Sequence, residues 1–230
     1  MKRSHFKHSA GFTLIELLVV ITIIAVLVAI SATATIRFRA SADRSATLGA
    51  LRQLQIANIS YATDNGGSFA PPEAKQVDAN KVPTGITYKW FENPDFISQI
   101  KGELATFSGS GSTDFSVPLA LMDAAVVRKK SAKNTTLDIC FGYTTPLQGT
   151  ALKQARLTNP SASAAFITCD MPFIEHSSKT AIAYRHQNKA LVVYYDGRAA
   201  VITKADVTGI DSKGGATNPF WKADSDQLTL

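Results

Sequence analysis

A long apolar run near the N-terminus constrains this chain more than any other feature. From Phe12 to Ile30 the run is apolar apart from two threonines and one carboxylate, Glu16, and no further charge follows until Arg37. A helix rises about 1.5 Å per residue, so a helical run of this length nearly covers a hydrocarbon core of roughly 30 Å. The pattern therefore predicts one helix that spans a membrane once.

The charges around the run predict its orientation. The segment before it contains Lys2, Arg3 and Lys7 but no acid. Basic residues collect on the cytoplasmic side of a membrane helix, so we expect the N-terminus to stay in the cytoplasm and the rest to be exported. A cleaved signal peptide and a plain signal anchor are two other interpretations. A cleaved signal peptide would have a shorter apolar run followed by a clear small-residue cleavage site. A plain signal anchor does not account for Glu16, because a charge at the centre of a membrane helix costs roughly 2.5–3.5 kcal/mol.

The start of the run resembles a motif of a known family. Residues 11–20 read GFTLIELLVV. This stretch is similar to the processing and methylation motif of type IV pilins and type II secretion pseudopilins. The resemblance implies that prepilin peptidase cuts between Gly11 and Phe12 and methylates the new amine of Phe12. It also implies that Glu16 pairs with the N-terminal amine of a neighbouring subunit during assembly. An ammonium and a carboxylate attract strongly in a low dielectric, where each alone is costly.

The helix is expected to continue beyond the membrane to Thr63. Its apolar positions fall close to one helical face: Leu48, Leu51, Leu54, Ile59 and Ala62. Its polar positions fall mostly elsewhere: Arg44, Arg52, Gln53 and Asn58. The sequence DNGG at 64–67 supplies a glycine cap, and the prolines at 71–72 prevent the helix from restarting.

These boundaries predict four parts. They are a leader peptide over 1–11, the transmembrane and assembly half of the helix over 12–36, its amphipathic half over 37–63, and an exported globular head over 64–230. The predicted fold class is α+β, with the long helix packed on a small antiparallel sheet, as in pilins. In the head we expect loops over 69–85 and 107–116, a helix over 117–130, and strands beginning at Ile86 and over 136–143, 164–168 and, as a three-stranded unit, 180–203.

A second resemblance lies near the C-terminus. Nine residues separate His186 from the pair Asp196-Gly197, which is similar to the H-x9-DG signature of many prepilin-like proteins. The family's usual glycines after the histidine are replaced here by the sequence QNK at 187–189. An extended strand between His186 and Asp196 would hold them roughly 20 Å apart, too far for a catalytic pair. We therefore expect structural roles, with Asp196 capping a turn and His186 bonding to a loop backbone.

The remaining candidate sites are cysteines and aspartates. Cys140 and Cys169 are the only cysteines; in an exported head they either form a disulfide or remain separate thiols in neighbouring strands. Type II major pseudopilins bind calcium in a C-terminal loop, and carboxylate oxygens suit that ion. The candidate calcium ligands are Asp206, Asp211, Asp224 and Asp226. The alternative interpretation is that these four aspartates are solvated loop residues that bind no ion. No other cofactor is expected.

Charge and motifs restrict the function classes. The net charge of +6 falls to +3 without the three basic residues of the leader, and the only basic run, at 128–130, is interpreted as solvated. Nucleic acid is therefore not expected as a partner. The chain contains no GxSxG, HExxH, GxGxxG or CxxC motif and no Walker loop, so no enzymatic activity is expected.

The predicted function is a structural subunit of a type II secretion pseudopilus or a type IV pilus-like filament. Its partners would be further copies of itself, prepilin peptidase, the lipid bilayer and an inner-membrane assembly platform. It would cross the bacterial inner membrane once, with its head in the periplasm. A membrane-anchored binding module that never polymerises is the alternative, and an exported enzyme on the same anchor is a further one.

Overall fold

A computed structural model describes most of the chain, namely residues 12–77, 83–100, 104–108, 114–118, 122–129, 140–144, 152–171, 173–174, 176–221 and 223. The predicted leader, with Gly11, and the calcium candidates Asp224 and Asp226 lie outside these residues. The chain divides into two compact units, Met1–Ser41 and Ala42–Leu230.

One helix dominates the N-terminal region. Helix α1 runs over Leu14–Asp64, which confirms the predicted long helix. Among the described residues it is the one helix long and apolar enough to cross a membrane. Its C-terminus has the predicted glycine cap: Gly66 adopts a φ of +62°, and the Gly67 N–H donates to the Ala62 carbonyl at 2.7 Å. Glycine reaches this left-handed conformation without a steric penalty, so the helix ends here.

Two hairpins follow α1 in the second unit. Strand β1 (Glu73–Val77) pairs antiparallel with β2 (Pro83–Lys89), and the short helix α2 (Pro94–Ser98) comes next. Strand β3 (Leu104–Ser108) then pairs antiparallel with β4 (Asp114–Pro118). The predicted loops over 69–85 and 107–116 are therefore wrong where these strands enter them, at 73–77, 83–85, 107–108 and 114–116, whereas the strand predicted to begin at Ile86 is part of β2. Pro83 is tolerated because it is the first residue of its strand.

A short helix replaces the longer one predicted over 117–130. Helix α3 covers only Ala124–Lys129, because the chain is still in β4 at Pro118. Asp123 lies directly before α3, and its Oδ1 accepts a hydrogen bond from the Ala125 N–H at 2.9 Å. The N-terminus of α3 is thus capped by an aspartate side chain.

The centre of the second unit is a five-stranded sheet. Its strands are β5 (Phe141–Thr144), β6 (Ala164–Thr168), β7 (Phe173–Ile174), β8 (Ala190–Tyr194) and β9 (Ala199–Ile202). They lie in the order β7-β5-β6-β8-β9, and all neighbours are antiparallel except β5 and β7. The predicted strand over 164–168 is confirmed. Helix α4 (Lys204–Ser212) follows β9 and begins with a capping box between Thr203 and Asp206.

The segment 180–203 forms two of the three predicted strands. Strands β8 and β9 are present, but the residues before them form a 3-10 helix, His176–Ala181, and turns. The reason is topological, since β6 and β9 already occupy both edges of β8. Residues 181–183 instead bond to the end of β6, where the Ala183 N–H donates to the Thr168 carbonyl at 2.9 Å.

Apolar side chains cover both faces of this sheet. Leu51 and Leu54 of α1 belong to a buried cluster with Phe166 and Leu191. Val192, which points to the opposite face from Leu191, belongs to a second cluster that is completed by α4 and the residues after it. The sheet therefore has one face under α1 and the other under the C-terminal region.

The buried face of α1 differs from the predicted one in its polar residues. Asn58 was expected to lie away from the apolar face, but it is fully buried. Its Oδ1 accepts from the Ala70 N–H at 3.0 Å, and the neighbouring buried Gln55 donates to the Tyr195 carbonyl at 2.8 Å. Because these amides are bonded, they are accommodated in the core and fix the position of the helix.

We expect Leu51→Ala to lower the free energy of unfolding by about 2–5 kcal/mol, because it opens a cavity beneath α1. Denaturant titration of the detergent-purified protein, followed by fluorescence of the buried Trp90 and Trp221, measures this change. Ile56→Ala is the matched control on the same helix, since Ile56 is 63% exposed. Its expected effect is within about 0.5 kcal/mol. Equal losses for the two variants would contradict this packing.

Candidate functional site

The first group of predicted site residues lies at the start of α1. Phe12 is 84% exposed. The Glu16 Oε2 accepts hydrogen bonds from the backbone N–H and the hydroxyl of Thr13, both at 2.8 Å, and the Glu16 N–H donates to the Thr13 Oγ1 at 3.3 Å. This reciprocal pattern is a capping box, which satisfies amides that the first turn leaves open.

The carboxylate of Glu16 also suits its place in the helix. It lies in the first turn of α1, where the positive end of the helix dipole stabilises an anion. All its side-chain bonds to described residues reach one oxygen, Oε2, and come from Thr13. Among those residues nothing donates to Oε1, so this oxygen is available to a second donor.

The apolar run after Glu16 is exposed on every side. Its large apolar side chains, from Leu17 to Ile30, are 47–64% exposed. The hydroxyls of Thr22, Ser31 and Thr35 donate to carbonyls of the preceding turn, at 2.7–2.8 Å. These hydroxyls therefore need no partner outside the helix, as a lipid environment requires.

The second group centres on His186, whose ring does not bond to a loop backbone as predicted. Its Nε2 lies 3.3 Å from the Oδ2 of Asp123, and both side chains are almost fully buried. The Arg185 Nη1 donates to the same oxygen at 3.2 Å, and the Thr47 hydroxyl donates to Oδ1 at 3.4 Å. We call these four residues the Asp123 cluster.

The Asp123 cluster joins several elements of the second unit. Thr47 belongs to α1 and Asp123 caps α3, while Arg185 and His186 precede β8. Arg185 extends the network, because it also donates to the carbonyls of Cys140 at 3.3 Å and Cys169 at 3.2 Å, at the ends of β5 and β6. Sequence reasoning missed Asp123 and Arg185, because no local pattern relates residues that lie 62 positions apart.

Electrostatics keep Asp123 ionised. Burial raises the pKa of its carboxyl, but the hydrogen bond from His186, the charge of His186, the Ala125 N–H and the Arg185 guanidinium together outweigh that effect. The pKa of Asp123 is therefore lowered from its ordinary value of 3.8. The cluster holds a buried carboxylate that is satisfied on both oxygens, which is a stabilising arrangement rather than a reactive one.

The turn after His186 has the geometry that glycine favours. Gln187 and Asn188 have φ angles of +55° and +61°, and His186 and Lys189 exchange backbone hydrogen bonds at 3.2 Å. Two central residues with positive φ are typical of a type I′ turn. The turn therefore keeps a backbone that suits glycines, although other residues occupy it. Asparagine tolerates this conformation better than glutamine does.

Asp196 and Gly197 lie in the turn between β8 and β9. The Asp196 Oδ1 accepts from the Arg198 N–H at 2.9 Å, and Gly197 has a φ of +86°. His186 and Asp196 thus have separate partners, and the structure does not bring their side chains into one site.

The two cysteines lie opposite each other at the ends of β5 and β6. The Cys169 N–H donates to the Cys140 carbonyl at 3.0 Å, but both residues are buried as thiols. Cys140 packs in the cluster under α1 and Cys169 in the cluster on the other face. A disulfide between them stays a prediction.

The described aspartates of the calcium prediction have other bonds. Asp206 completes the capping box of α4, and Asp211 pairs with Lys179 at 2.5 Å. In the part of the chain that the structure describes, no three carboxylate, histidine or cysteine side chains come together as metal ligands. The calcium prediction has no support among these residues.

Comparison with known proteins supports the N-terminal resemblance. A family model described as the prokaryotic N-terminal methylation motif matches residues 6–32. The chain therefore carries a prepilin-type methylation motif and is similar there to type IV pilins and pseudopilins. The match ends far before His186, so the C-terminal signature stays a prediction. No curated protein and no solved structure matches the chain significantly.

We expect Asp123→Ala to lower the free energy of unfolding at neutral pH by about 3–5 kcal/mol, because it leaves the buried His186 without its carboxylate and Arg185 with Asp170 as its one remaining described carboxylate partner. The lowered pKa of Asp123 means that its contribution is complete above about pH 4 and is lost as the pH falls through the folded-state value. The difference between variant and wild type should therefore shrink below about pH 4. Denaturant titrations at several pH values measure both effects.

Glu73→Gln is the control for this experiment, because Glu73 is an exposed carboxylate of β1. It should change the free energy of unfolding by less than about 0.5 kcal/mol. An Asp123→Ala deficit that stays constant down to acidic pH would contradict the proposed ionisation of the cluster.

We expect Gln187→Gly to raise the free energy of unfolding by about 1 kcal/mol, because glutamine is strained at positive φ and glycine is not. Asn188→Gly, at the neighbouring position of the same turn, should have the smaller effect. Thermal denaturation of the two variants compares them directly. A destabilised Gln187→Gly variant would show that the glutamine side chain stabilises the turn by other means.

Proposed function

We propose that the chain is a structural subunit of a helical filament, either a type II secretion pseudopilus or a type IV pilus-like fibre. It would be inserted once in the bacterial inner membrane, with its second unit in the periplasm. Prepilin peptidase would cut between Gly11 and Phe12, and an assembly platform would then move the subunit into the filament. The observation that carries the proposal is the exposed apolar start of α1 with one carboxylate, Glu16.

The exposed side chains of α1 support a change of surroundings during assembly. Such an exposed apolar surface is unfavourable in water, because each Å² of it contributes a free energy of roughly 25 cal/mol that burial would remove. Lipid tails cover it before assembly, and apolar helices of neighbouring subunits cover it afterwards. The bonded hydroxyls of Thr22, Ser31 and Thr35 suit both surroundings equally.

Glu16 is the residue that distinguishes a filament subunit from a plain anchor. Its carboxylate has only Thr13 as a described donor, and both bonds reach Oε2. Cleavage at Gly11 would create an ammonium group at Phe12. The corresponding ammonium of a neighbouring subunit would supply the second, charged donor, and the pair would remove two isolated charges from an apolar environment.

The described part of the second unit supports a structural role. Its histidine–carboxylate contact, His186 with Asp123, is buried and shared with Arg185 and Thr47. A carboxylate held by four donors is suited to stabilising a fold. We therefore propose that this unit forms filament contacts and does not catalyse a reaction.

A surface groove favours the alternative of an anchored binding module. It has a volume of about 490 Å³ and lies between α1 and the end of α2. Ile56 and Ser60 line it from α1, and Ser98 and Gln99 line it from the α2 region. A groove with both apolar and amide groups could hold a peptide or a carbohydrate on a monomer that never polymerises.

We expect Glu16→Ala to be cleaved and methylated at Phe12 like the wild type, but to form far fewer filaments. The loss should be on the order of a hundredfold or more, because one partner of a buried ion pair left alone costs about 3–5 kcal/mol. Mass spectrometry of the membrane-extracted chain identifies its N-terminus, and electron microscopy of sheared fractions counts the filaments.

Thr22→Ala is the control in the same helix, since the hydroxyl of Thr22 bonds only within α1. It should assemble normally. A strain without prepilin peptidase should retain Met1 and form no filaments. Normal assembly of Glu16→Ala would refute the role of the carboxylate, and a processed wild type that stays monomeric would favour the binding module.

A further inference from the structure

We propose that three residues directly beyond the membrane span bind anionic phospholipid headgroups at the periplasmic surface of the inner membrane. They are Arg37, Phe38 and Arg39, which we call the arginine collar. The inference rests on the proposed membrane anchor and adds a ligand, the phosphate group of the lipid, and a task, which is to set the depth of the helix.

The collar carries charge that the described protein does not compensate. All three side chains are exposed, and Phe38 is 74% exposed. Neither arginine has a hydrogen bond or an ion pair with another described residue. No acid occurs in the sequence between Glu16 and Asp43. Two guanidinium groups therefore face the surroundings, where a phosphate could bind each of them bidentately.

The positions around the helix favour lipid over a docked protein. Successive helical residues are about 100° apart, so Arg37 and Arg39 point to nearly opposite sides, about 200° apart. A protein partner would contact one side. Headgroups surround a membrane helix on all sides, and an aromatic ring at the same level suits the interface.

The distance from Glu16 places the collar at the correct depth. Arg37 follows Glu16 by 37 − 16 = 21 residues, or about 32 Å of helix, close to the roughly 30 Å of a hydrocarbon core. When Arg37 lies at the periplasmic headgroups, Glu16 lies at the cytoplasmic edge of the core. Phe12 then reaches the cytoplasmic interface, where the peptidase is expected to cut. The collar would thus hold the cleavage junction outside the hydrocarbon.

The test uses the full-length protein in vesicles, with Phe38→Trp as a reporter within the collar. Brominated lipids quench a tryptophan that they contact, so quenching by brominated phosphatidylglycerol against brominated phosphatidylcholine gives the relative affinity of the two lipids. The buried Trp90 and Trp221 also fluoresce, and the protein without the Phe38→Trp substitution gives this background signal. We expect a preference for phosphatidylglycerol that falls about fivefold for Arg37→Gln, about fivefold for Arg39→Gln and about 25-fold for both.

Arg52→Gln is the matched control, because it removes the same charge from an exposed position farther along α1. It should leave the preference unchanged. An unchanged preference in the double variant would overturn the collar while the anchor stands. A preference that disappears in phosphate buffer but persists in chloride at equal ionic strength would identify a free-phosphate site and overturn the lipid assignment. A reporter that neither lipid quenches would refute the membrane anchor itself.

Discussion

The second unit depends on the burial of one helical face. Leu51 and Leu54 of α1 cover a sheet face that includes Phe166 and Leu191, and these four side chains are at most 1% exposed. Two-layer folds require such a cover, since a sheet face of this composition is unstable in water. The same helix also carries the exposed apolar run at its N-terminal end. One element therefore contains both the apolar residues that face outward and those that complete the core of the second unit.

Buried polar groups make that packing specific. Apolar contact alone would allow α1 to slide along the sheet, whereas Gln55 must reach the Tyr195 carbonyl and Asn58 must reach the Ala70 amide. Thr47 adds a third fixed point through the carboxylate of Asp123. If the helix shifted by one residue, each of these bonds would be lost. The shift is therefore unfavourable, because an unsatisfied buried amide or carboxylate is costly. The polar residues therefore determine the register of α1, and the apolar residues supply most of the stability.

Local patterns predicted the elements that depend on neighbouring residues. The long helix, its glycine cap and the strands β6, β8 and β9 all follow from periodicity and turn residues. Strand β1 and the first residues of β2 were missed because Pro83 and Gly85 are typical of loops, although the structure places both in a strand. The partner of His186 was missed because Asp123 lies 63 positions away and was assigned to a helix interior. The motif at residues 11–20 was recognised from side-chain identity alone, which requires no tertiary information, and a family model matches there. The cleavage that it implies stays a prediction.

The hydroxyls of α1 that bond to carbonyls of the same helix affect how reversibly this segment can move between lipid and protein. Because Thr22, Ser31 and Thr35 donate to their own helix, moving this segment between two apolar media changes neither its hydrogen bonds nor much of its solvation. The free energy of the middle of the segment is thus nearly the same in lipid and in an apolar protein environment. In the proposed filament assembly, the work of withdrawing the chain from the bilayer, or of returning it, would be concentrated at the charged ends, Glu16 and Arg37. An assembly motor of the kind proposed would therefore have to overcome two localised electrostatic barriers, whereas transfer of the apolar segment between them would require little work.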